Sequence, residues 1–172
     1  TRAADLAAKK GMLVTNSAGN SGNDSWKFIS APADGDSVLA VGAVNVNGQP
    51  AAFSSYGPSS DGRVKPDVAS VGWNTFIINT SGNVAQGNGT SFSNPNLAGL
   101  VTCLWQAFPD MTNMEIINAV RKSSGKYSNP DDRVGYGIPN MRVAYESLQK
   151  ERERRNATNI LGQKNIRVYP VP

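Results

Sequence analysis

A chain of 172 residues with 39% hydrophobic content is long enough to bury a core of its own as one globular domain. Its formal net charge of +4 is modest, and where basic residues gather, at Lys150-Glu-Arg-Glu-Arg-Arg155, glutamates alternate with them, so no nucleic-acid footprint is present. A single cysteine excludes an internal disulfide and a multi-cysteine metal cluster, and the lack of histidine removes the commonest general base near neutral pH and the commonest zinc ligand.

Residues 1–10 read as a helix already in progress, with no initiator methionine or apolar leader before it, so the natural N-terminus is expected to lie upstream. Gly11 supplies the residue type that closes a helix. A strand is predicted over 12–15, then a polar, glycine-rich loop over 16–24. The continuous apolar run at 37–44 suits a strand buried on both faces. Asn47-Gly48 marks a turn across which 51–56 is expected to pair as a hairpin. Further short strands are predicted over 67–71 and 75–79, with a tight turn at Ser81-Gly-Asn83.

From 93 to 107 the residues Leu97, Val101, Leu104 and Phe108 recur at one stripe of a helix, and Cys103, inside this pattern, is assigned to the core. Pro109 ends that helix. Thr112-Asn-Met-Glu115 has the form of a capping box, and Met114, Ile117 and Val120 give the next helix an apolar face. A last helix is predicted from 141 to about 152, with Lys150–Arg155 as a solvated helix end or linker. Helix, strand, loop and strand followed by helices define an α/β sandwich, and no apolar run is long enough to span a membrane.

Two segments carry chemistry. In Gly87-Asn-Gly-Thr-Ser-Phe-Ser-Asn-Pro-Asn-Leu-Ala-Gly99 a serine, Ser91, stands at a helix start, where unpaired N–H groups and the positive dipole end favour an oxyanion. Gly89 permits close approach, and Pro95 fits a first turn. The alternative is an ordinary N-cap made by Thr90 or Ser91. In Leu13-Val-Thr-Asn-Ser-Ala-Gly-Asn20 a strand delivers an asparagine amide at its carboxyl edge, where ligand sites of open α/β sheets lie. Such an amide suits a charge that exists only in a transition state, but it is equally an ordinary turn residue.

Taken together, Ala18-Gly-Asn20, Val38-Leu-Ala-Val-Gly-Ala-Val44, Phe53-Ser-Ser-Tyr-Gly-Pro58 and Gly89-Thr-Ser-Phe-Ser-Asn-Pro95 resemble, in this order, the segments of the subtilisin-like serine proteases. The similarity runs from about residue 12 to 148. It implies the C-terminal half of a three-layer sandwich, with a mostly parallel sheet flanked by helices. It implies that Ser91 attacks the scissile carbonyl while the Asn20 side chain and the Ser91 N–H hold the oxyanion. Gly89 and Thr90 then contact substrate, and Ser17, Ala18, Gly19, Ser30 and Ala31 wall a pocket roomy enough for a large apolar side chain. The bond before Pro32 is often cis in the family. Phe92 and Asn96 replace the family's usual methionine and histidine, neither of them a triad position.

The family's aspartate and base histidine lie upstream. Residues 1–150 are therefore expected to be part of the catalytic domain of a secreted or cell-surface bacterial endopeptidase acting on polypeptides, inactive alone. Residues 151–172 are read as a linker toward a further C-terminal domain, signalled weakly by Val168-Tyr-Pro-Val-Pro172, a proline-rich linker being the alternative. The rival function is a catalytically dead relative that serves as a binding or structural module. A lysine base, Lys65 or Lys27, ranks below both. Asp67, Asp131 and Asp132 are candidate structural calcium ligands by residue type but fit no loop motif, so no metal or cofactor is assigned. A half-domain leaves a sheet edge unpaired, which predicts association with the upstream half or with a second copy.

Overall fold

The computed structural model describes residues 1–164, in the order α1 (Arg2–Lys9), β1 (Val14–Ser17), β2 (Val38–Val44), β3 (Val68–Val71), β4 (Thr75–Ile78), β5 (Val84–Gly87), α2 (Thr90–Ala107), α3 (Asn113–Lys122) and α4 (Met141–Lys164). Strands β1, β2 and β3 form a parallel sheet in that order, with Val14 beside Val38 and Val41 beside Val68. Strands β4 and β5 make a separate antiparallel hairpin closed at Asn79–Asn83, with Ile78 opposite Val84.

The Val-Leu-Ala-Val-Gly-Ala-Val run of β2 is buried at every position because both of its faces are covered. Leu39 and Val41 point to one side with Val68, where they meet Leu97, Val101 and Leu104 of α2 and, behind them, Ile117 and Val120 of α3 and Leu148 of α4. On the other side Ala40 packs with Ala18, Ile29 and Ala33, and Val44 packs with Ala69 and Val134. Helices, sheet and a loop layer thus stack as the α/β reading expects. The α3 capping box forms, with the Thr112 Oγ1 accepting from the Glu115 N–H at 3.3 Å and the Glu115 carboxylate accepting from the Thr112 N–H at 2.8 Å. The Ala31–Pro32 peptide is cis.

Four sequence expectations are corrected. Pro95 is the sixth residue of α2 and lies inside the helix, not in its first turn. Pairing across the turn stops at residue 51 and does not extend to 56. The Asn45 N–H donates to the Gln49 carbonyl at 3.0 Å and the Ala51 N–H to the Ala43 carbonyl at 2.9 Å around the Val44–Pro50 bridge, after which the chain turns with the Ser54 N–H on the Ala51 carbonyl at 3.0 Å. Cys103 is exposed, not core, since two residues of helix rotate it roughly 200° from the buried Val101. Helix α4 passes the expected end near 152 and continues to Lys164. No glycine or proline interrupts it before Gly162, and the alternating charges pair along it: Arg154 with Glu151 at 2.7 Å, Arg155 with Glu151 at 2.9 Å, and Arg155 also with Glu115 of α3. The Val168–Pro172 motif and the strand-like onset at 165 lie outside the described residues.

At the amino ends of β2 and β3 a buried charge network ties the strands together. Lys65 donates to the Val38 carbonyl and to Asp67, both at 2.8 Å. Asp67 also pairs with Arg121 at 2.6 Å and accepts the Ala40 N–H at 2.7 Å. Burial holds the Lys65 ammonium below the ordinary lysine range, against the opposing pull of Asp67. Removing the shared acid strands two cations in a region of low polarity. We expect Asp67→Asn to destabilise the fold by about 3–5 kcal/mol in urea unfolding. A loss below about 1 kcal/mol would mean that water reaches the network.

Candidate active site

The carboxyl end of β1 and the start of α2, far apart in sequence, meet at one point. The Asn20 Oδ1 accepts the Thr90 N–H at 2.9 Å and the Thr90 hydroxyl at 3.0 Å. The same hydroxyl accepts the Gly19 N–H at 3.2 Å. Helix α2 is capped by Gly89, which has no side chain to offer, and no acid stands in its first turn. Neither Thr90 nor Ser91 is therefore the N-cap, and a carboxamide from 70 residues away takes that role for the first helical N–H.

This cap orients the amide. Two donors on Oδ1 fix which end of the side chain faces the helix, and Nδ2 is left without a hydrogen bond among the described residues. A Cβ placed on Gly89 would stand 3.6 Å from Asn20 Nδ2, so glycine keeps that face of the amide uncovered. Ser91 follows as an exposed residue of the first helical turn, and its own N–H also lacks a partner among the described residues. The arrangement presents a hydroxyl, two neutral donors and the positive end of an 18-residue helix together.

The other expected site residues divide. Gly19 adopts φ +109°, open to glycine, and stands beside Thr90. Ser17 closes β1, and Ala18 is buried against Ile29 and Ala33, which sets the 17–19 and 30–32 segments side by side. Ser30 and Ala31 are exposed and line a cavity of about 580 Å³ with Trp26, Phe28 and Pro58, a cavity that neither Asn20 nor Ser91 borders. Lys65 is committed to Asp67 and Val38, and Lys27 lies over the rings of Phe28 and Tyr56 at 5.7 and 5.9 Å, so neither faces Ser91 as a base. Asp131 is engaged by Lys126 and by the Arg133 and Val134 N–H groups at 2.9 Å. Among the described residues no three acidic, cysteine or histidine side chains come together as a metal site.

Sequence reasoning missed the support beneath this loop. The Gly22 N–H donates to the Phe53 carbonyl at 2.8 Å, the Ser55 N–H to the Gly19 carbonyl at 2.9 Å, and the Tyr56 N–H to the Lys27 carbonyl at 3.1 Å. Segment 53–56 runs alongside the asparagine loop instead of along β2.

A parallel sheet whose strand ends deliver a loop amide to a helix N-terminus defines an α/β protein, a class in which ligands ordinarily bind along that edge of the sheet. The subtilase family model matches residues 1–137, and the chain belongs to the subtilase family. It is 29% identical to the serine protease AprX of Bacillus subtilis, over 79% of this chain and 35% of the relative. It is 32% identical to subtilisin DY of Bacillus licheniformis, over 79% of this chain and 47% of the relative. Among solved structures, MycP1 from Mycobacterium smegmatis aligns with a TM-score of 0.64 at 28% identity, over 80% of this chain and 42% of that one. The prenylagaramide maturation protease PagA shares the fold with a TM-score of 0.71 at 24% identity, over 86% of this chain and 54% of that one. The chain thus spans about half, or less, of the length of the proteins it matches.

Thr90 is fully buried and its hydroxyl serves both Gly19 and Asn20, so its loss leaves the half-buried Gly19 N–H unpaired. Thr90→Val, equal in shape, is expected to cost about 1–3 kcal/mol in chemical denaturation and to speed amide exchange at Gly19. Unchanged exchange at Gly19 would count against the linkage.

Proposed function

We propose that the protein this chain comes from is a subtilisin-like serine endopeptidase that hydrolyses peptide bonds through an acyl-enzyme on Ser91. The observation that carries the reading is the Asn20 carboxamide, held through its oxygen by Thr90, the residue before Ser91, and left with its nitrogen free on the side of Gly89. In the proposed reaction the Ser91 Oγ bonds to the scissile carbonyl carbon and its proton passes to a base. The C–N bond then breaks, the amine leaves with a proton, and water releases the acyl group by the reverse route. Charge gathers on the former carbonyl oxygen, where Asn20 Nδ2 and the Ser91 N–H donate to it. One such donor contributes on the order of 3 kcal/mol of barrier, a scale that itself comes from an asparagine of this family.

The base is supplied from elsewhere, because the chain contains no histidine. The family resemblance implies an aspartate and a histidine upstream, and the chain alone is then inactive. Helix α2 supports the same reading. Its 18 residues include no charge, and its outward face mixes Leu100, at 49% exposure, Gly99 and Cys103 with the uncharged polar Asn96, Thr102 and Gln106. A solvated helix face of this length ordinarily carries charge. That face and the unpaired edge of β1 fit the upstream half of the domain as their cover. The relatives come from bacteria, and an endopeptidase is tolerated best away from cytoplasmic proteins, so the reading includes a secreted or cell-surface location and a polypeptide substrate.

In the full-length protein a fluorophosphonate probe is expected to label Ser91, and Ser91→Ala to abolish the label. Asn20→Ala should lower kcat by about 10²- to 10³-fold. Asn20→Asp is the sharper variant, since it keeps an oxygen for the Thr90 N–H but puts a negative group where the donor stood. It should retain the folded state and lose turnover. A folded, propeptide-free protein that takes no label would overturn the reading in favour of a binding module.

The isolated chain is expected to scatter light as an associated species. A soluble compact monomer would argue against a covered α2 face.

A further inference from the structure

We propose that Ser55 is a positioning residue for the Asn20 carboxamide, clamping the two peptides that flank it; this rests on the reading of Asn20 as an oxyanion donor. The Ser55 N–H donates to the Gly19 carbonyl at 2.9 Å, and the Ser55 Oγ accepts the Ser21 N–H at 3.0 Å. One residue thus grips the chain immediately before and immediately after Asn20. Ser55 is 1% exposed and packs under Gly19 so closely that a Cβ there would lie 2.8 Å from its Oγ and 3.2 Å from its Cβ. Glycine at 19 is needed for this contact as well as for its φ of +109°.

The clamp has a rigid base. The neighbouring Ser54, 2% exposed, accepts the Ala43 N–H of β2 on its Oγ at 3.1 Å, and the Ser54 N–H closes the turn on Ala51. Because β2 is buried along its whole length, the position of Ser55 is inherited from the centre of the sheet. Asn20 itself is an exposed loop residue. Its distance from the Ser91 hydroxyl is therefore set by two constraints, the Thr90 contacts on its side chain and the Ser55 contacts on its backbone. A donor that must meet a developing charge loses its advantage when it drifts by a fraction of an ångström.

Ser55→Ala removes the acceptor for the Ser21 N–H and keeps the N–H to Gly19. In the full-length protein it should lower kcat about 10- to 100-fold with KM within about twofold. In an Asn20→Ala background the same change should have no further effect on kcat, because the group it positions is gone. Ser55→Cys, with a longer bond and a poorer acceptor, should fall between serine and alanine, and it serves in place of alanine if that variant does not fold. Equal kcat in wild type and both variants would overturn the proposal, as would a loss that persists in full on the Asn20→Ala background. Should Asn20→Ala itself leave kcat unchanged, the oxyanion reading fails and Ser55 has nothing to position.

Discussion

The first free N–H of α2 is the constraint around which the rest is arranged. A helix that begins Gly-Thr-Ser, with no acid in its first turn and no capping side chain of its own, leaves a buried donor unpaired unless another segment supplies an acceptor. Asn20 supplies it from the end of β1. For that to hold, β1 must end where α2 begins, and both elements must be referenced to the same sheet. Strand β2 provides the reference, with α2 packed on one face and the loop layer on the other.

The opposite ends of the strands solve a different problem. There the sheet gathers Lys65, Asp67 and Arg121, and the gain is more in register than in energy. A buried ion network seldom stabilises more than an apolar replacement would. Lys65 reaches the Val38 carbonyl and Asp67 reaches the Ala40 N–H, so the network ties the segment leading into β3 to the first residues of β2. A slip of one residue in the β2–β3 pairing would break these contacts at once and turn Val41 and Val68 away from α2. Fixing the register at one end of the sheet places the 53–56 segment, and with it the asparagine loop, at the other.

Legibility in the sequence followed the range of the interactions. The buried strand at 38–44, the Leu97, Val101, Leu104 and Phe108 stripe and the Thr112–Glu115 capping box were all readable, because each is decided by residues within one or two turns of one another. Asn20 and Ser91 were readable as candidates from the boundaries they occupy, and as one site only through the order of segments that resembles the family. Their meeting depends on a contact across 70 residues that no local pattern encodes. Ser54 and Ser55 were invisible for the same reason. They look like ordinary turn serines, and their hydrogen bonds run to Ala43 and Ser21. Cys103 was misplaced because an apolar neighbourhood in sequence is not one face of a helix. Helix α4 was cut short because alternating charges read as solvated ends, whereas at spacings of three and four they pair.

The Asn20 side chain performs a structural task and, in the proposed reaction, a chemical one, with different atoms. Its oxygen caps the start of the helix, a need that exists in the resting protein, while its nitrogen makes no hydrogen bond among the described residues and is the atom the proposed reaction would use. The first task improves the second. An amide already pinned by two donors has little freedom left to lose when charge develops beside it, which is the condition under which a hydrogen bond lowers a barrier instead of merely binding a substrate. The same economy explains why the donor is a neutral amide: a lysine here would present its charge to the positive end of α2 and could not accept from Thr90 at all. An asparagine is the residue that satisfies both ends, and its place at a strand terminus lets the sheet hold it there.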